Sequence, residues 1–369
     1  MNLEEYNLRI KTLQALMGKN NVDCTLAAPG INFKYALKSA TGASERLLLA
    51  ILPVSDEATL ICPAFEKERL AQESIFEHDQ IITWEEHENP FLKVKEIVSS
   101  LSLVNKRIAF EPKMWFENVT RIQQVLNKNI EYVSAEFIYE ARAQKTPAEI
   151  NALTRACQLT SETISFAFDN VKAGMTELEI VALCKEGADQ VGGAFQGALV
   201  QSGPNSALPH NASSERKIQK DEVLLIDLSV TYKGYYGDVT RMYVIGKSPS
   251  KKFLKIYEAV KKANEVGVDN AKSGMECQAV DRAARKILID EGFGEYFTHR
   301  LGHGLGLEVH ELPYIVEGNT TPLQLGATHT VEPGVYLPGE FGIRIEDDII
   351  VTEQGGKRLF DVPRYSWTL

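Results

Sequence analysis

A seven-residue segment that occurs twice places the strongest constraint on how this chain folds. DNVKAGM occupies residues 169–175 and DNAKSGM occupies residues 269–275, with five of seven positions identical at an offset of 100 residues. Each copy ends one helix-like segment and precedes another. This spacing indicates a duplicated unit, because repeat arrays use shorter periods and more copies. We therefore predict two similar halves that pack about a pseudo-twofold axis, with a site at the seam between them.

The residues before the duplicated region are organised differently. Over the first 130 residues, helix-like segments alternate with short apolar runs such as LLLAILPV and ATLICPA, which are typical of buried strands. Further on, Thr146, Pro147 and Glu149 fit the N-cap, first and third positions of a long helix. With 369 residues, the chain exceeds the usual size of a single core. We predict an α/β domain at residues 1–130 and a second domain at residues 131–369.

The composition argues against several classes of partner. Because 40 Lys and Arg stand against 50 Asp and Glu, the net charge is −10. Nucleic acid and anionic membranes are therefore not expected as partners. No run approaches the roughly 18 apolar residues of a spanning helix, and the N-terminus lacks a signal-peptide pattern. The five cysteines are scattered and odd in number, which favours buried thiols and a cytoplasmic location.

The first half contains a predicted hairpin with two acidic residues. Two β-rich runs flank a turn, and a loop centred on Tyr232 and Lys233 places Asp227 directly opposite Asp238. Facing carboxylates destabilise a sheet, and Asp227 also lies in the apolar run LLIDL, where a lone charge is costly to bury. A cation between the acids would resolve both problems. An offset register would instead leave a solvated hairpin without a site.

The second half repeats this arrangement. Centring its hairpin on Gly339 places Glu332 opposite Glu346. Four carboxylates that converge in a protein interior either acquire strongly raised pKa values or bind metal. Together with one imidazole from the stretch HRLGHGLGLEVHE, residues 299–311, they would suit Mn, Co, Fe or Zn. Two such ions about 3.5–4 Å apart can activate water and polarise a carbonyl.

These motifs resemble those of the pita-bread metallopeptidases, in the branch of prolidase (Xaa-Pro dipeptidase) and Xaa-Pro aminopeptidase. The matching positions are Asp227 in a strand, Asp238 in GDVTR, His303 in LGHGLGLEVHE, Glu332 in VEPGVY and Glu346 in GIRIED. The resemblance covers nearly the whole chain, because these enzymes also carry a smaller creatinase-like N-terminal α/β domain. It implies an α/β (α+β) fold whose C-terminal pita-bread domain is pseudo-twofold, with a curved and mainly antiparallel sheet.

The resemblance also implies the metal ligands. Asp227 would bind one ion, Asp238 and Glu346 would bridge two ions, and His303 with Glu332 would bind the other. Glu332 is also the family's candidate for proton transfer. The implied cofactors are two divalent ions per subunit, with manganese expected first and cobalt, zinc or iron as alternatives.

Four further side chains resemble the family's substrate-binding residues. His310 and His210 would contact substrate and take part in catalysis, and His299 would line the pocket. Arg344 would orient neighbouring carboxylates, because its planar guanidinium fits them in two-point contact. In contrast, His329 lies three residues before Glu332 and would face the opposite side of the strand, so we do not expect a ligand there.

Several neighbours of the ligand positions are given structural roles. Gly302 and Gly304 flank the histidine and would let backbone crowd the ion. Ser229 stands where the family often has glycine, and we expect little consequence. Thr240 and Arg241 would support Asp238 from behind. Tyr232, Tyr235 and Tyr236 are expected to pack within the hairpin.

The function that the resemblance implies is hydrolysis of the Xaa-Pro bond, first of all in dipeptides, by a homodimer. An Xaa-Pro aminopeptidase acting on longer peptides remains open, because no single motif reports pocket length. A methionine aminopeptidase generally lacks an N-terminal domain like residues 1–130, and a creatinase-like amidinohydrolase loses the metal ligands. A catalytically inactive module that binds peptides or proteins is the alternative from a different class.

Overall fold

The computed structural model describes residues 3–101, 106–126, 128–246 and 249–360. The chain divides into two compact units, Met1–Arg142 and Ala143–Leu369. Among the described helices, none combines the length and the apolar character that crossing a membrane requires.

A six-stranded mixed sheet forms the centre of the first unit. The elements are α1 (Leu3–Lys19), β1 (Cys24–Ala27), α2 (Ile31–Leu37), β2 (Leu49–Pro53), β3 (Thr59–Pro63), α3 (Lys67–Glu73), β4 (Ile81–Trp84), α4 (Pro90–Ser100), β5 (Arg107–Phe110), α5 (Phe116–Val125), β6 (Glu131–Ser134) and α6 (Phe137–Ala143). The strand order is β4-β3-β2-β1-β5-β6. Neighbouring strands are antiparallel at β1–β2 and β2–β3 and parallel elsewhere.

The predicted division after residue 130 lies before β6 and α6, which belong largely to the first unit. Strand β6 pairs with β5. The Arg142 guanidinium donates to the side chain of Asn32 at 2.6 Å, and the Tyr35 hydroxyl donates to the carbonyl of Ala141 at 3.1 Å. These contacts explain why the first compact unit extends to Arg142.

The second unit contains helices and antiparallel strands. Its elements are α7 (Pro147–Asn170), α8 (Glu177–Val191), β7 (Ala194–Ser202), β8 (Glu222–Tyr232), β9 (Tyr235–Ile245), α9 (Lys251–Asn270), α10 (Cys277–Asp290), β10 (Gly302–Gly304), β11 (Glu311–Ile315), β12 (Thr328–Val331), β13 (Gly334–Leu337), β14 (Phe341–Arg344), β15 (Asp347–Val351) and β16 (Gly356–Arg358). The sheets have the orders β7-β8-β9, β11-β10-β12-β15-β16 and β13-β14. Their named pairs are all antiparallel, as predicted for this domain.

Helix α7 begins where the sequence predicts. The Thr146 hydroxyl accepts a hydrogen bond from the Glu149 backbone N–H at 3.3 Å, and the Glu149 carboxylate accepts one from the Thr146 N–H at 2.8 Å. Pro147 occupies the first helical position, where its missing N–H leaves no intrahelical bond unmade. The predicted capping box is confirmed.

The two copies of the repeated segment form the same turn. One joins α7 to α8 and the other joins α9 to α10. Gly174 and Gly274 have φ angles of 90° and 83°, a left-handed conformation that favours glycine. Their N–H groups donate to the carbonyls of Ile218 and Leu323, both at 2.8 Å. The second unit therefore consists of two similar halves, and the predicted duplication is confirmed.

Candidate metal and substrate site

One cavity of about 560 Å³ in the second unit collects most of the predicted site residues. Its lining includes Asp227, Asp238, His303, Glu332, Glu346, His210, His310 and Arg344. His299 is not among the lining residues, but its Nε2 lies 2.8 Å from the hydroxyl oxygen of Tyr336. That hydroxyl also accepts a hydrogen bond from Arg344 at 2.9 Å, so His299 joins the polar network around the cavity.

The turn of the first hairpin differs from the prediction. Tyr232 pairs with Tyr235, so the two-residue loop consists of Lys233 and Gly234 and not of Tyr232 and Lys233. Both loop residues have positive φ, 51° and 82°. This is the pattern of a type I′ turn, whose twist matches the twist of the strands.

The changed turn alters the register of the two aspartates. Asp227 pairs with Thr240, and Asp238 pairs with Ser229, so the predicted direct pairing of Asp227 with Asp238 is wrong. The register differs from the predicted one by two residues. Because side chains alternate along a strand, a shift of two keeps both carboxylates on the same face. They are diagonal neighbours there, and both line the cavity.

The second hairpin has the predicted register. Val331 pairs with Asp347 where β12 meets β15, and the ladder between β13 and β14 continues in the same register beyond that pair. Glu332 and Glu346 lie between the two ladders and face each other in this register. Gly339 lies in the turn with φ of 74°. Each half therefore presents two acidic residues to the same cavity.

Three buried side chains come closest together. Asp238, His303 and Glu346 each offer a ligand atom, and these atoms lie within 4.8 Å of one another. The Nε2 atom of His303 is 3.2 Å from Oε1 of Glu332 and 3.9 Å from Oδ2 of Asp238. Asp227 lies beside this cluster, where its Oδ2 accepts a hydrogen bond from Arg344 at 2.6 Å.

The electrostatics of the cluster fit a cation. Burial, together with the nearby carboxylates, raises the pKa values of Asp238 and Glu346 well above their ordinary range. Burial alone would also raise the pKa of Glu332, but the hydrogen bond from His303 lowers it to about 2. The same bond raises the pKa of His303 against the effect of burial. A divalent ion would relieve the repulsion between these acids, and carboxylates with one imidazole are suitable ligands for it.

The substrate-side histidines lie next to the cluster. The ring centroid of His310 is 4.2 Å from that of His303, with the rings nearly perpendicular. Partial burial and the neighbouring His303 lower the pKa of His310 to about 4, so its ring is neutral at pH 7. His210 is exposed at the cavity wall. Burial also lowers the pKa of His299.

Residues 151–353 match the model of metallopeptidase family M24, and residues 9–144 match that of the creatinase/prolidase N-terminal domain. The chain belongs to metallopeptidase family M24. This confirms the predicted family and its pita-bread fold with a creatinase-like N-terminal domain. The family implies divalent metal ions, for which the cluster of Asp238, His303 and Glu346 is a candidate site.

Relatives of this M24 enzyme match it over almost their full length. The Xaa-Pro dipeptidase of Pyrococcus horikoshii is 34% identical over 362 residues, which are 97% of this chain and 98% of that protein. The solved structure of a prolidase from Thermococcus sibiricus has a TM-score of 0.89 and 33% identity, with both chains fully covered. The X-Pro aminopeptidase from Thermotoga maritima has a TM-score of 0.84 and 29% identity, covering 97% of this chain and all of that one.

The residues after Asp238 contact the acids differently from the prediction. Arg344 is buried, and besides Asp227 it donates from Nε to the hydroxyl of Thr240 at 3.1 Å. That hydroxyl donates to Oε2 of Glu346 at 2.5 Å. Arg241 donates to the backbone carbonyl of Glu346 at 2.6 Å. The predicted support of Asp238 by Thr240 and Arg241 is thus directed at Glu346, which belongs to the other half.

Asp238 receives its own contacts from Ser229, for which we expected little consequence, and from Asp348, which sequence reasoning missed. The Ser229 hydroxyl donates to its Oδ1 at 2.7 Å, so the departure from glycine at this position has a direct contact with the site. Oδ2 of Asp348 accepts the Asp238 backbone N–H at 2.8 Å and the Cys157 thiol at 3.1 Å. Tyr236 also lines the cavity. Its spacing of two from Asp238 is the sequence signal that could have placed it on this face.

The glycines beside His303 admit neighbouring backbone. A Cβ atom at Gly302 would overlap the carbonyl oxygen of Thr330, and one at Gly304 would overlap the carbonyl oxygen of Leu312. These glycines admit strand backbone, and their predicted role beside a metal ion stays a prediction. They allow the flanking strands to approach the short strand that carries His303.

Substituting Gly304 with alanine should therefore displace His303. We expect the free energy of unfolding to fall by about 1–3 kcal/mol, because the added carbon meets backbone that must shift, and we expect weaker metal binding. Gly197→Ala is the matched control, since this residue lines the same cavity and its Cβ would meet nothing within 4 Å. Urea denaturation and a metal titration would check both variants. Equal effects of the two substitutions would contradict this reading.

A buried network lies behind the carboxylates of the second half. Arg241 donates to Oδ1 of Asp347 at 2.7 Å, and Arg358 donates to Oδ2 of the same residue at 2.7 Å. The side chain of Asp347 is fully buried and that of Arg241 is 3% exposed. Since Arg241 also binds the carbonyl of Glu346, this ion pair holds the backbone next to the site.

Proposed function

We propose that this M24 enzyme hydrolyses the bond between an amino acid and proline in Xaa-Pro dipeptides. The observation that carries the proposal is the convergence of two acidic residues from each half, with His303, in one cavity of about 560 Å³. The relatives named as Xaa-Pro dipeptidase and prolidase, which match over nearly the whole chain, support the same substrate class.

In this proposal the ligands of two divalent ions are Asp227, Asp238, His303, Glu332 and Glu346. The oxygen-rich set with one imidazole supports manganese first, and cobalt, zinc or iron as alternatives. When bound, such ions act as Lewis acids toward the scissile carbonyl and lower the pKa of a water molecule.

Glu332 is the proposed proton carrier. A neighbouring positive charge keeps its carboxylate ionised at neutral pH: the hydrogen bond from His303 lowers its pKa to about 2, and a bound metal ion would have the same effect in place of that bond. An ionised Oε atom can accept a proton from the attacking water and return it to the proline nitrogen as the C–N bond breaks. Without that returned proton, the amine would leave as an unstable anion.

Three histidines supply recognition. His310 has a pKa of about 4, so its ring can donate a hydrogen bond to a substrate carbonyl without bringing a charge that would repel metal. His210 also lines the cavity, where it can bind the proline carboxylate, and His299 acts through Tyr336. Arg344 holds Asp227 in place through its 2.6 Å hydrogen bond.

The first test is the release of proline from Ala-Pro and of alanine from Ala-Pro-Ala, after metal removal and reconstitution with Mn²⁺. We expect the dipeptide to be cleaved at least about 10-fold faster in kcat/KM, and chelation to abolish both activities. Efficient cleavage of the tripeptide would instead make the protein an Xaa-Pro aminopeptidase. No cleavage of either peptide, with Co²⁺ and Zn²⁺ also tried, would favour an inactive binding module.

We also propose that the enzyme works in the cytoplasm as a homodimer. All five cysteines are free and buried, which supports a reducing compartment. The dimer rests on the family resemblance alone, and light scattering of the purified protein would test it.

A further inference from the structure

A buried carboxylate outside the cavity accepts hydrogen bonds from both ends of the loop that carries His210. Glu177 is the first residue of α8, and it is 0% exposed. Its Oε1 accepts hydrogen bonds from the backbone N–H and the hydroxyl of Ser202, both at 2.8 Å. Its Oε2 accepts them from the backbone N–H and the hydroxyl of Ser214, at 3.0 and 2.7 Å. The Asn205 amide donates to both oxygens, at 3.0 and 3.1 Å.

The loop between these two serines, residues 203–213, reaches the second half of the unit. The Ser206 hydroxyl accepts a hydrogen bond from the Gly342 N–H at 2.9 Å. The carbonyl of Pro209 accepts one from Arg344 at 3.4 Å. The next residue, His210, lines the cavity. The loop is therefore bound to Glu177 at its ends and to strand β14 at its middle.

Burying the Glu177 carboxylate requires these hydrogen bonds. An ionised carboxylate without exposure to water is costly unless hydrogen bonds replace its hydration. Three residues supply the replacement here, and all three lie in or beside the loop. The position of Glu177 at the start of α8 adds the favourable end of the helix dipole. Loss of the charge would leave several buried donors without a strong acceptor.

The duplicated half provides an internal comparison. The backbone N–H of Glu177 donates to the carbonyl of Arg216 at 3.1 Å, and the N–H of Cys277 donates to the carbonyl of Thr321 at 3.0 Å. The two residues thus occupy equivalent positions at the starts of α8 and α10. The second half has a buried thiol there. A carboxylate is therefore not required by the repeated helix–turn–helix, which leaves its hydrogen bonds to the 203–213 loop as the feature that sets Glu177 apart from Cys277.

We infer that Glu177 is a positioning residue that holds the 203–213 loop so that His210 meets the substrate. The kinetic consequence of this inference rests on the proposed function. The structural consequence, an ordered loop, does not.

Hydrogen–deuterium exchange of the full-length, metal-loaded protein tests the structural part. Glu177→Gln keeps the side-chain volume but replaces one acceptor oxygen with an NH₂ group, which would face the N–H and hydroxyl donors of the serines at the ends of the loop. We expect the amides of residues 205–213 to exchange at least about 10-fold faster, while Mn²⁺ affinity stays within about twofold. Cys277→Ala, at the equivalent position, should leave these amides unchanged. Unchanged exchange in Glu177→Gln would overturn the inference, whether or not the protein cleaves Xaa-Pro peptides.

A milder variant covers the case in which Glu177→Gln does not fold. Ser214→Ala removes one hydroxyl donor and leaves the backbone N–H to the carboxylate. The same amides should exchange faster by a smaller factor, about two- to fivefold. If Glu177→Gln misfolds and amide exchange in Ser214→Ala is unchanged, Glu177 stabilises the second unit as a whole. The inference would then be wrong.

Kinetics with Ala-Pro test the link to His210. Glu177→Gln should raise KM about 10-fold and change kcat by less than about threefold, because ground-state contacts are lost. In a His210→Ala background the same substitution should raise KM by less than about twofold, since both substitutions remove the same contact, that of His210 with the substrate. Fully additive effects would overturn the link. If the wild-type protein cleaves no Xaa-Pro peptide, the proposed function fails. The exchange result would still show whether Glu177 keeps the 203–213 loop ordered.

Discussion

Replacing Asp238 with alanine is expected to abolish metal binding and peptide hydrolysis while the protein remains folded. Asp238 lies at the centre of the cluster, within 4.8 Å of ligand atoms from both His303 and Glu346. Loss of a residue that merely orients a ligand already costs about 10–100-fold in metal affinity. Loss of a shared ligand should therefore cost at least about 100-fold. Isothermal titration with Mn²⁺ would measure metal binding, circular dichroism would check the fold, and the Ala-Pro assay would measure hydrolysis.

The isosteric variant Asp238→Asn serves as the control, measured without metal across pH. Burial and the nearby Asp227 raise the pKa of Asp238 in the folded protein, so the folded state binds more protons than the unfolded state above pH of about 4. The contribution of Asp238 to the stability of the metal-free protein should thus fall as pH rises from about 4 toward neutrality, and the stability of Asp238→Asn relative to the wild type should rise over the same range. Asp238→Asn lacks this loss and should be the more stable protein at pH 7. A variant that is less stable at every pH and still binds metal would contradict the site.

The second large effect is expected from Asp347→Ala. This substitution leaves the guanidinium of Arg241 buried without the carboxylate that it contacts at 2.7 Å. Breaking a buried ion pair by removing one partner typically costs about 3–5 kcal/mol. Because Arg241 also holds the carbonyl of Glu346, metal affinity should fall together with stability. Urea denaturation and metal titration would measure the two effects.

An exposed ion pair provides the matched comparison for Asp347→Ala. Lys252 and Glu340 are 52% and 51% exposed, and exposed pairs contribute about 0–1 kcal/mol. Glu340→Ala should therefore change stability by less than about 1 kcal/mol and leave metal affinity unchanged. If Asp347→Ala costs no more than Glu340→Ala, the buried network does not hold the site as described.

The sequence predicts the parts of the site that depend on local patterns. The duplicated turn needs glycine at positions 174 and 274, and the start of α7 needs Thr146 and Glu149, so each leaves a signature within a few residues. The alternation of side chains is equally local, which is why Asp227 and Asp238 share a face even though their predicted pairing is wrong.

The register of the first hairpin is beyond such patterns, because it depends on positive φ angles at both loop residues, and only Gly234 is a residue type that favours them. Lys233 adopts a positive φ, which few non-glycine residues do, and nothing in its side chain signals this. The contacts of Asp238 with Ser229 and Asp348 are likewise not readable from the sequence. They depend on the register and on the packing of the second half against the first.

The division of the proposed ligands between the halves has a consequence for assembly. Asp227 and Asp238 come from strands β8 and β9, whereas His303, Glu332 and Glu346 follow α10 in the chain. A fragment that ends before α9 would hold two of the five ligands, and its complement would hold the other three. Tight metal uptake would then require both fragments to associate, so the ion would report complementation between them and would stabilise the associated state by mass action.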